Sequence, residues 1–349
     1  MKFKKIISLL LMVFLISVFA MGCGGAEKET AKTPETPEKT EELIKLILAH
    51  SATPENSLSI AYDKFAELVE EKSNGNLIIE VHGSGTIAGD QTAVDGVKMA
   101  TIDMGSSASN NMAGYTDAFL FADLPYIFDS IESSHKVWWG EIGEELKQQV
   151  EKDINAKVLF YVDTGGGFRV LTNNQKVVKT PDDLKGMKLR ATASPIEIAM
   201  LKAWGANPTP VAWPEVYSAL EQKVVNGESL HPGWIYQAKH YEALKYMTEV
   251  TAMANVHVAL MSQKAWNSLT PELQQVILDA GKETQEFGAK VDAEKGQEAM
   301  QSLLEAGLEM YKPTPEEFKQ WKDLAVAVWP EFYDKVPEEF IKRVIEAQK

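Results

Sequence analysis

Arg190 is the residue of this chain whose position most clearly suggests chemistry, because a short predicted strand ends on it. Residues 187–190 alternate apolar and basic side chains, which is typical of a strand with one buried face. Ser194 and Pro195 then predict a helix start, since serine suits the N-cap and proline the first helical position. A guanidinium placed there presents a rigid fork of donors to a carboxylate. Taken alone, the spacing also fits a solvated or ion-paired surface arginine, which is common.

Polar residues also follow other predicted strands. His50 follows the first strand, Ser107 follows the third, and His231 follows a later one. In open α/β sheets, ligands bind outside the carboxyl ends of the strands. Because these positions come from both halves of the sequence, we predict a cleft between two lobes that closes around a solute and excludes water.

Aromatic residues supply further candidates for contacts to a ligand. A proline-rich extended segment from Asn207 to Pro210 leads to Trp213 and, one helical turn later, to Tyr217. Trp213 either packs on a ligand or is buried in the core of a lobe, and Tyr217 faces either the core or the cleft. We place Asn207, Trp213, Tyr217 and the later Trp234 among the predicted ligand-binding residues.

Catalytic signatures are missing from the sequence, which has no H-E-x-x-H, G-x-S-x-G or C-x-x-C motif and no S-x-x-K with its supporting motifs. The six histidines show no compact metal-ligand spacing. Residues 83–88 match G-x-G-x-x-A, but the next helix is predicted to begin only after Gly89, which disfavours a dinucleotide site. We expect no cofactor and no metal. The alternative from the enzyme class is an exported hydrolase or lyase that uses His50 or His231 with Glu228.

The elements around these residues alternate between strands and helices. Apolar residues at helical spacing predict a helix over 57–72 between strands at 43–49 and 77–82, then a helix over 90–100 and a strand at 102–106. This β-α-β-α-β order indicates an α/β sheet with parallel neighbours. Further predicted elements are strands at 157–162, 168–171, 224–228 and 256–261, and a helix from 270 to about 310 with a break near 290–296.

The N-terminus has the features of an export signal. Basic residues within the first five positions precede an apolar run over residues 6–20, which is shorter than a membrane span. The single cysteine, Cys23, excludes an intramolecular disulfide and resembles a lipobox cysteine, although Ala20 stands where leucine is usual. The alternative is a chance cysteine after an ordinary cleavage site. We predict a signal peptide over 1–22 and a lipidated Cys23 with a disordered, charged tether over 23–42, which holds the exported protein at the membrane.

The remaining length exceeds a typical single domain in this chain of 349 residues, so we predict two lobes. One lobe would comprise residues 43–165 and about 256–295, and the other residues 166–255 and about 296–349. The formal net charge of −15 argues against a nucleic-acid partner, because proteins that bind nucleic acids carry basic patches. It does not exclude a small anionic ligand.

The segment around Arg190 resembles the signature of the solute-binding subunits of TRAP transporters (tripartite ATP-independent periplasmic transporters), and the resemblance extends from about Leu46 to the C-terminus. It implies a two-lobed, type II-like periplasmic-binding-protein fold of α/β class, with a long helix that spans both lobes. It also implies that Arg190 binds a ligand carboxylate, that Arg169 supports it, and that Trp213 packs on the ligand. Two integral-membrane permease subunits would receive the solute.

Residues 225–234 depart from the pattern of that family. The family commonly has an asparagine that contacts the ligand where this chain has Leu230, and His231 follows before Pro232. These changes, with Trp234, suggest a less polar ligand body, since a hydroxyl group against leucine would stay unpaired. We expect a monocarboxylate with an apolar or aromatic body, or a C4-dicarboxylate. An ABC-type or chemosensory receptor with a similar fold is the remaining alternative.

Overall fold

The computed structural model describes residues 43–349. The predicted signal peptide, Cys23 and the tether lie outside the described residues. The eleven described strands are β1 (Ile44–Ala49), β2 (Leu77–His82), β3 (Met104–Ala108), β4 (Ala156–Asp163), β5 (Val170–Asn173), β6 (Lys188–Ala191), β7 (Asn207–Pro210), β8 (Gly227–Leu230), β9 (Tyr246–Thr248), β10 (Val256–Ser262) and β11 (Glu309–Tyr311).

Eleven α-helices connect and cover these strands in the described part of the chain. They are α1 (Ser57–Lys72), α2 (Asp90–Lys98), α3 (Ile131–Trp138), α4 (Glu141–Ile154), α5 (Pro195–Ala203), α6 (Val216–Glu221), α7 (Pro232–Gln237), α8 (Gln263–Ser268), α9 (Pro271–Glu305), α10 (Pro315–Val326) and α11 (Glu338–Ala347). No helix within residues 43–349 combines the length and the apolar character needed to cross a membrane.

The strands form two sheets, which confirms the predicted two-lobed α/β fold. The first sheet has the order β2-β1-β3-β10-β4, with β1 parallel to β2 and β3, and β10 antiparallel to both of its neighbours. The second sheet has the order β11-β9-β5-β8-β6-β7, with β6 parallel to β7 and β8. The chain therefore leaves the first sheet after β4, returns to it with β10, and reaches the second sheet again at β11. The lobe boundaries given above stay a prediction.

Helix α9 links the two halves and is continuous over 35 residues, so the break predicted near 290–296 is wrong. Thr270 caps its start by accepting a hydrogen bond from the Leu273 backbone N–H. The small residues that suggested a break instead allow close packing. A Cβ on Gly288 would lie 3.2 Å from Val162 Cγ1, and one on Gly296 would lie 2.4 Å from Gly166 Cα.

Strands β3, β5 and β8 begin two or three residues later than the sequence predicted, and the shifts of β3 and β8 have the same cause. After α2, the backbone N–H groups of Thr101 and Ile102 donate to Gly96 O, so β3 starts only at Met104. After α6, those of Val224 and Val225 donate to Ala219 O, so β8 starts three residues late. In each case, apolar residues whose backbone N–H groups bond to the last turn of a helix resemble, in the sequence, the start of the following strand.

Residues 164–169 and 249–255 form two crossing segments. They run side by side from one sheet to the other. The Arg169 backbone N–H donates to Met253 O at 2.9 Å and ties them together. Gly165, Gly166 and Gly167 have φ of +79°, +86° and +97°, which only glycine adopts without strain. These positions lie against the second sheet as well, because a Cβ on Gly165 would be 2.5 Å from the Cβ of His231.

Candidate functional site

A cavity lies between the ends of the two sheets, and its empty space of about 410 Å³ includes the part that opens to solvent. The first sheet and its loops contribute Ser51, Asp90, Ala108, Asn110, Asn111 and His257; the second contributes Arg190, Thr192, Trp213, Leu230, His231 and Trp234; the crossing segments contribute Thr164, Arg169 and Asn255.

Arg190 lies near the end of β6 with only 2% of its surface exposed. Its Nε donates a hydrogen bond to Val211 O at 3.1 Å, which fixes the orientation of the guanidinium. Its two terminal nitrogens have no hydrogen-bond or ion-pair partner among residues 43–349. Burial lowers the pKa of Arg190, and the carboxylates of Glu197 and Glu228 oppose that shift. The result is a buried cation with a free pair of donors facing a cavity.

Arg169 differs because its charge is balanced within the protein. Its Nη1 lies 3.1 Å from Glu197 Oε1 and also donates to Ser229 O at 3.4 Å. Glu197 is fully buried and accepts a further hydrogen bond from the Thr192 backbone N–H at 3.2 Å. This pairing balances the charge of Arg169, although its Nε has no partner among residues 43–349. Arg190 is therefore the buried guanidinium that lacks a direct ion pair in the described part of the chain, and the supporting role of Arg169 stays a prediction.

Aromatic rings form one wall of the cavity. The rings of Trp213 and Trp234 meet edge to face with centroids 4.9 Å apart, and Trp234 stacks on His257 at 5.7 Å. Trp234 Nε1 donates to Thr164 Oγ1 at 2.8 Å. The indole of Trp234 is therefore fixed by a residue of the crossing segment, and Trp213 is held against it. Both tryptophans line the cavity, and their contact with a ligand stays a prediction.

His231 and Leu230 both line the cavity at the end of β8. His231 is the residue before α7, and its Nδ1 lies 2.6 Å from Gly167 O. Burial and, second, the nearby positive charge of Arg169 together lower the pKa of His231 to about 3. The imidazole is therefore neutral at physiological pH.

Four predicted ligand-binding residues do not line the cavity. The ring of His50 is buried against Tyr62 with centroids 5.3 Å apart, and burial lowers its pKa to about 4. Ser107 is buried, and its hydroxyl donates to Ala108 O at 3.2 Å. Tyr217 donates to Glu242 Oε2 at 2.8 Å on the surface, and Asn207 is exposed at the start of the edge strand β7. The expectation that ligands bind beyond the carboxyl ends of the strands therefore points to the edge of the sheets where the cavity lies, but these four side chains do not line it.

Several lining residues were missed by the sequence reasoning. Asn110 and Asn111 lie two and three residues beyond the end of β3, and Thr192 lies one residue beyond β6. A search slightly past each strand end would have found them. Asp90 begins α2, where its carboxylate accepts hydrogen bonds from Ser51 Oγ at 2.7 Å and Asn111 Nδ2 at 2.8 Å. His257, the second residue of β10, also lines the cavity, and no signal in the sequence separates it from a core residue.

The two sheets, the crossing segments and the cavity define a two-lobed solute-binding protein. The chain belongs to the bacterial extracellular solute-binding protein family 7 (DctP), whose model matches residues 48–336. This confirms the resemblance to TRAP solute-binding subunits, and the members of this family are transport receptors rather than enzymes.

Named relatives agree with this assignment. The 2,3-diketo-L-gulonate-binding periplasmic protein YiaO of Escherichia coli is 32% identical over 265 residues, covering 76% of this chain and 80% of the relative. The C4-dicarboxylate-binding periplasmic protein DctP of Rhodobacter capsulatus is 28% identical, covering 87% and 90%. A crystal structure of a TRAP periplasmic solute-binding protein from Sulfurospirillum deleyianum with bound succinate is 29% identical with a TM-score of 0.82, covering 87% of this chain and 99% of that one.

Proposed function

We propose that this receptor binds a small organic acid in the cavity and that Arg190 holds the carboxylate. The observation that carries the proposal is the buried guanidinium whose terminal nitrogens have no partner in the described part of the chain. A buried cation is costly unless it is paired, and a carboxylate matches the geometry of its fork. The named relatives include a binder of a C4-dicarboxylate and a binder of a sugar acid, so they support an acid and leave the ligand body open.

The test is a comparison of ligand binding by wild type, Arg190→Ala and Arg190→Lys. A thermal-shift screen of mono- and dicarboxylates, sugar acids and aromatic acids first identifies an acid that raises the melting temperature. Removing one partner of a buried charged pair costs about 3–5 kcal/mol, so Arg190→Ala should weaken binding of that acid by about a hundredfold or more. Lysine should not restore affinity fully, because it lacks the planar fork.

Arg343→Ala is the matched control for this experiment. Arg343 is 45% exposed and pairs with Glu145 on the surface, so its loss should leave affinity unchanged. Near-normal binding by Arg190→Ala would remove the assigned role. Catalytic turnover of the bound acid would instead favour the exported hydrolase or lyase.

The remaining steps of transport follow from family membership and are part of the proposal. The lobes would close on the acid, and two integral-membrane permease subunits would receive it from the closed receptor. Cys23 would carry the lipid that holds the receptor at the outer face of the cytoplasmic membrane. A Cys23→Ser variant should then move from the membrane fraction to the soluble extracytoplasmic fraction, and an unchanged distribution would exclude the anchor.

A further inference from the structure

The hydrogen bonds around Glu197 fix which way the amide of Asn110 points. A carboxylate only accepts, so the Thr192 hydroxyl, which contacts Glu197 Oε2, donates its single proton to it. Thr192 Oγ1 must then accept from its other two neighbours, the Ser194 backbone N–H at 3.3 Å and Asn110 Nδ2 at 3.0 Å. The amide oxygen of Asn110 is left over. It is buried in a residue that is 1% exposed, and it has no partner in residues 43–349.

His231 is fixed by the same reasoning. Its Nδ1 lies 2.6 Å from Gly167 O, and a carbonyl oxygen only accepts, so Nδ1 carries the proton. Nε2 of the neutral ring therefore presents a lone pair. His231 is 2% exposed, and Nε2 has no partner within the described part of the chain. Asn110 and His231, from opposite sheets, thus line the cavity that also contains the free donors of Arg190. Two residues of the crossing segments add an unpaired acceptor, Asn255 Oδ1, and an unpaired donor, Arg169 Nε, and a hydroxyl group can serve either kind of atom.

The remaining charges restrict what can satisfy these acceptors. Both oxygens of Asp90 already accept hydrogen bonds, from Ser51 Oγ and from Ala108 N and Asn111 Nδ2. A second ligand carboxylate next to Asn110 Oδ1 and His231 Nε2 would be repelled, because its oxygen lone pairs would face the lone pairs of these two atoms. A ligand ammonium at His231 would meet the positive charge of Arg169, which already disfavours protonation of that ring. A neutral hydroxyl group is the donor that fits.

We infer that the ligand is a polyhydroxy monocarboxylate, in which one hydroxyl donates to His231 Nε2 and another to Asn110 Oδ1 while Arg190 holds the carboxylate. His231 and Asn110 are then the residues that determine specificity, and this inference rests on the proposed carboxylate site. This inference differs from the apolar ligand body that the sequence suggested from Leu230, because Leu230 forms only part of the cavity wall. An acid without hydroxyl groups would leave both acceptors unpaired, which weakens binding by about tenfold to a hundredfold per group.

The experiment is isothermal titration of the full-length mature protein with a four-carbon series: threonate, butanoate, succinate and homoserine. We expect threonate to bind at least tenfold more tightly than each of the others. A matched six-carbon series of galactonate, hexanoate and adipate extends the comparison to a longer body. Tighter binding of succinate, butanoate or homoserine than of threonate, repeated for the six-carbon acids, would overturn the inference.

Two variants test whether Asn110 Oδ1 and His231 Nε2 cause the preference for threonate. Asn110→Leu and His231→Leu each remove one acceptor, so the advantage of threonate over butanoate should shrink about tenfold or more in each. His231→Gln restores an acceptor, with the amide nitrogen able to donate to Gly167 O, and should recover part of the advantage. An unchanged threonate-to-butanoate ratio in folded leucine variants would contradict the assignment, and if a variant fails to fold, the wild-type series alone decides.

Failure of this inference can be told apart from failure of the proposed function. If an acid without hydroxyl groups binds tightly and Arg190→Ala abolishes that binding, the carboxylate site stands and the hydroxyl assignment falls. If no acid binds, or if binding does not depend on Arg190, the proposed function itself falls.

Discussion

The two buried arginines at the cavity differ in whether the protein itself supplies a carboxylate to balance the charge of the guanidinium. Arg169 and Arg190 are similarly buried, at 3% and 2% exposed. Arg169 has Glu197 within 3.1 Å, whereas Arg190 has a backbone carbonyl on Nε and free terminal nitrogens. The spacing of the residues shows neither burial nor pairing, because in the sequence each arginine simply lies close to a strand. Only the resemblance to TRAP solute-binding subunits implied different roles for the two arginines.

The pair between Arg169 and Glu197 should be important for stability. Glu197→Gln removes the charge that balances a fully buried guanidinium, which costs about 3–5 kcal/mol of unfolding free energy. Urea denaturation of the ligand-free protein measures this loss. Glu145→Gln breaks the exposed pair with Arg343 and should cost less than about 1 kcal/mol. Equal losses for the two variants would contradict the difference in burial.

Asp292 predicts a specific dependence of stability on pH. It is buried on α9, where it accepts hydrogen bonds from Ser57 Oγ and Gly166 N, and burial together with the Asp163 carboxylate raises its pKa to about 7. The folded state therefore binds this proton more tightly than the unfolded state. The resulting stabilisation is complete below the unfolded pKa near 4 and is lost as the pH rises to about 7.

Asp292→Asn removes this titration, so the variant should gain stability relative to wild type as the pH rises from 5 to 8. Thermal melts of both proteins at each pH, at constant ionic strength, give the difference. The other groups around the site, including the pair of His135 and Asp163 at 2.5 Å, are present in both proteins, so their contributions largely cancel in the difference. The exposed Asp279 of the same helix provides the control variant Asp279→Asn. A difference that does not change with pH would contradict the assignment.

Among the elements, those with a full apolar periodicity were predicted correctly. Helix α1 and strand β2 have the predicted bounds, because their buried residues recur at helical or alternating spacing. The starts of β3 and β8 were wrong, because the turns before them satisfy backbone groups of the preceding helix. The cavity followed the same division. Arg190 and His231 at strand ends line it as expected, whereas Thr192 just beyond a strand was missed and His257 within β10 reaches the cavity only through tertiary structure.

The contact between α9 and the first crossing segment depends on two glycines. A Cβ on Gly166 would lie 2.2 Å from Gly296 Cα, and Gly166 also has a φ of +86°. Gly166→Ala should therefore destabilise the fold by more than about 2 kcal/mol, through both backbone strain and the collision. Gly186→Ala is the matched control, since Gly186 has a φ of +80° and open space around its Cα. Equal losses of stability in Gly166→Ala and Gly186→Ala would mean that the close approach of Gly166 to Gly296 contributes nothing.

At the scale of the whole molecule, contacts between parts that belong to different sheets bridge the cavity. Asn110, which follows β3, donates to Thr192, which follows β6. At the rim, a Cβ on Gly89 would lie 4.0 Å from Pro214 Cγ. The two sides therefore touch, and we expect these contacts to separate when a ligand enters or leaves.

A reversible crosslink across this rim should control access to the cavity. Cys23 is the one cysteine of the chain, so a protein that begins after it and carries Gly89→Cys and Pro214→Cys contains a single possible disulfide. Oxidation before ligand addition should abolish binding, and oxidation afterwards should trap the ligand until a reductant is added. Titration calorimetry with and without reductant measures both effects, and the two single-cysteine variants are the controls. Unaltered ligand exchange in the oxidised protein would show that the rim is not the entrance.

The edge-to-face pair of Trp213 and Trp234 has an optical consequence. Both indoles border the cavity, and their centroids are 4.9 Å apart, so any occupant changes the polarity and the quenching groups around two chromophores at once. The chain contains eight tryptophans, and Trp138, Trp204 and Trp321 are buried away from the cavity, where their emission is a constant background. The receptor thus carries a built-in fluorescent reporter, and occupancy can be followed in real time without a label.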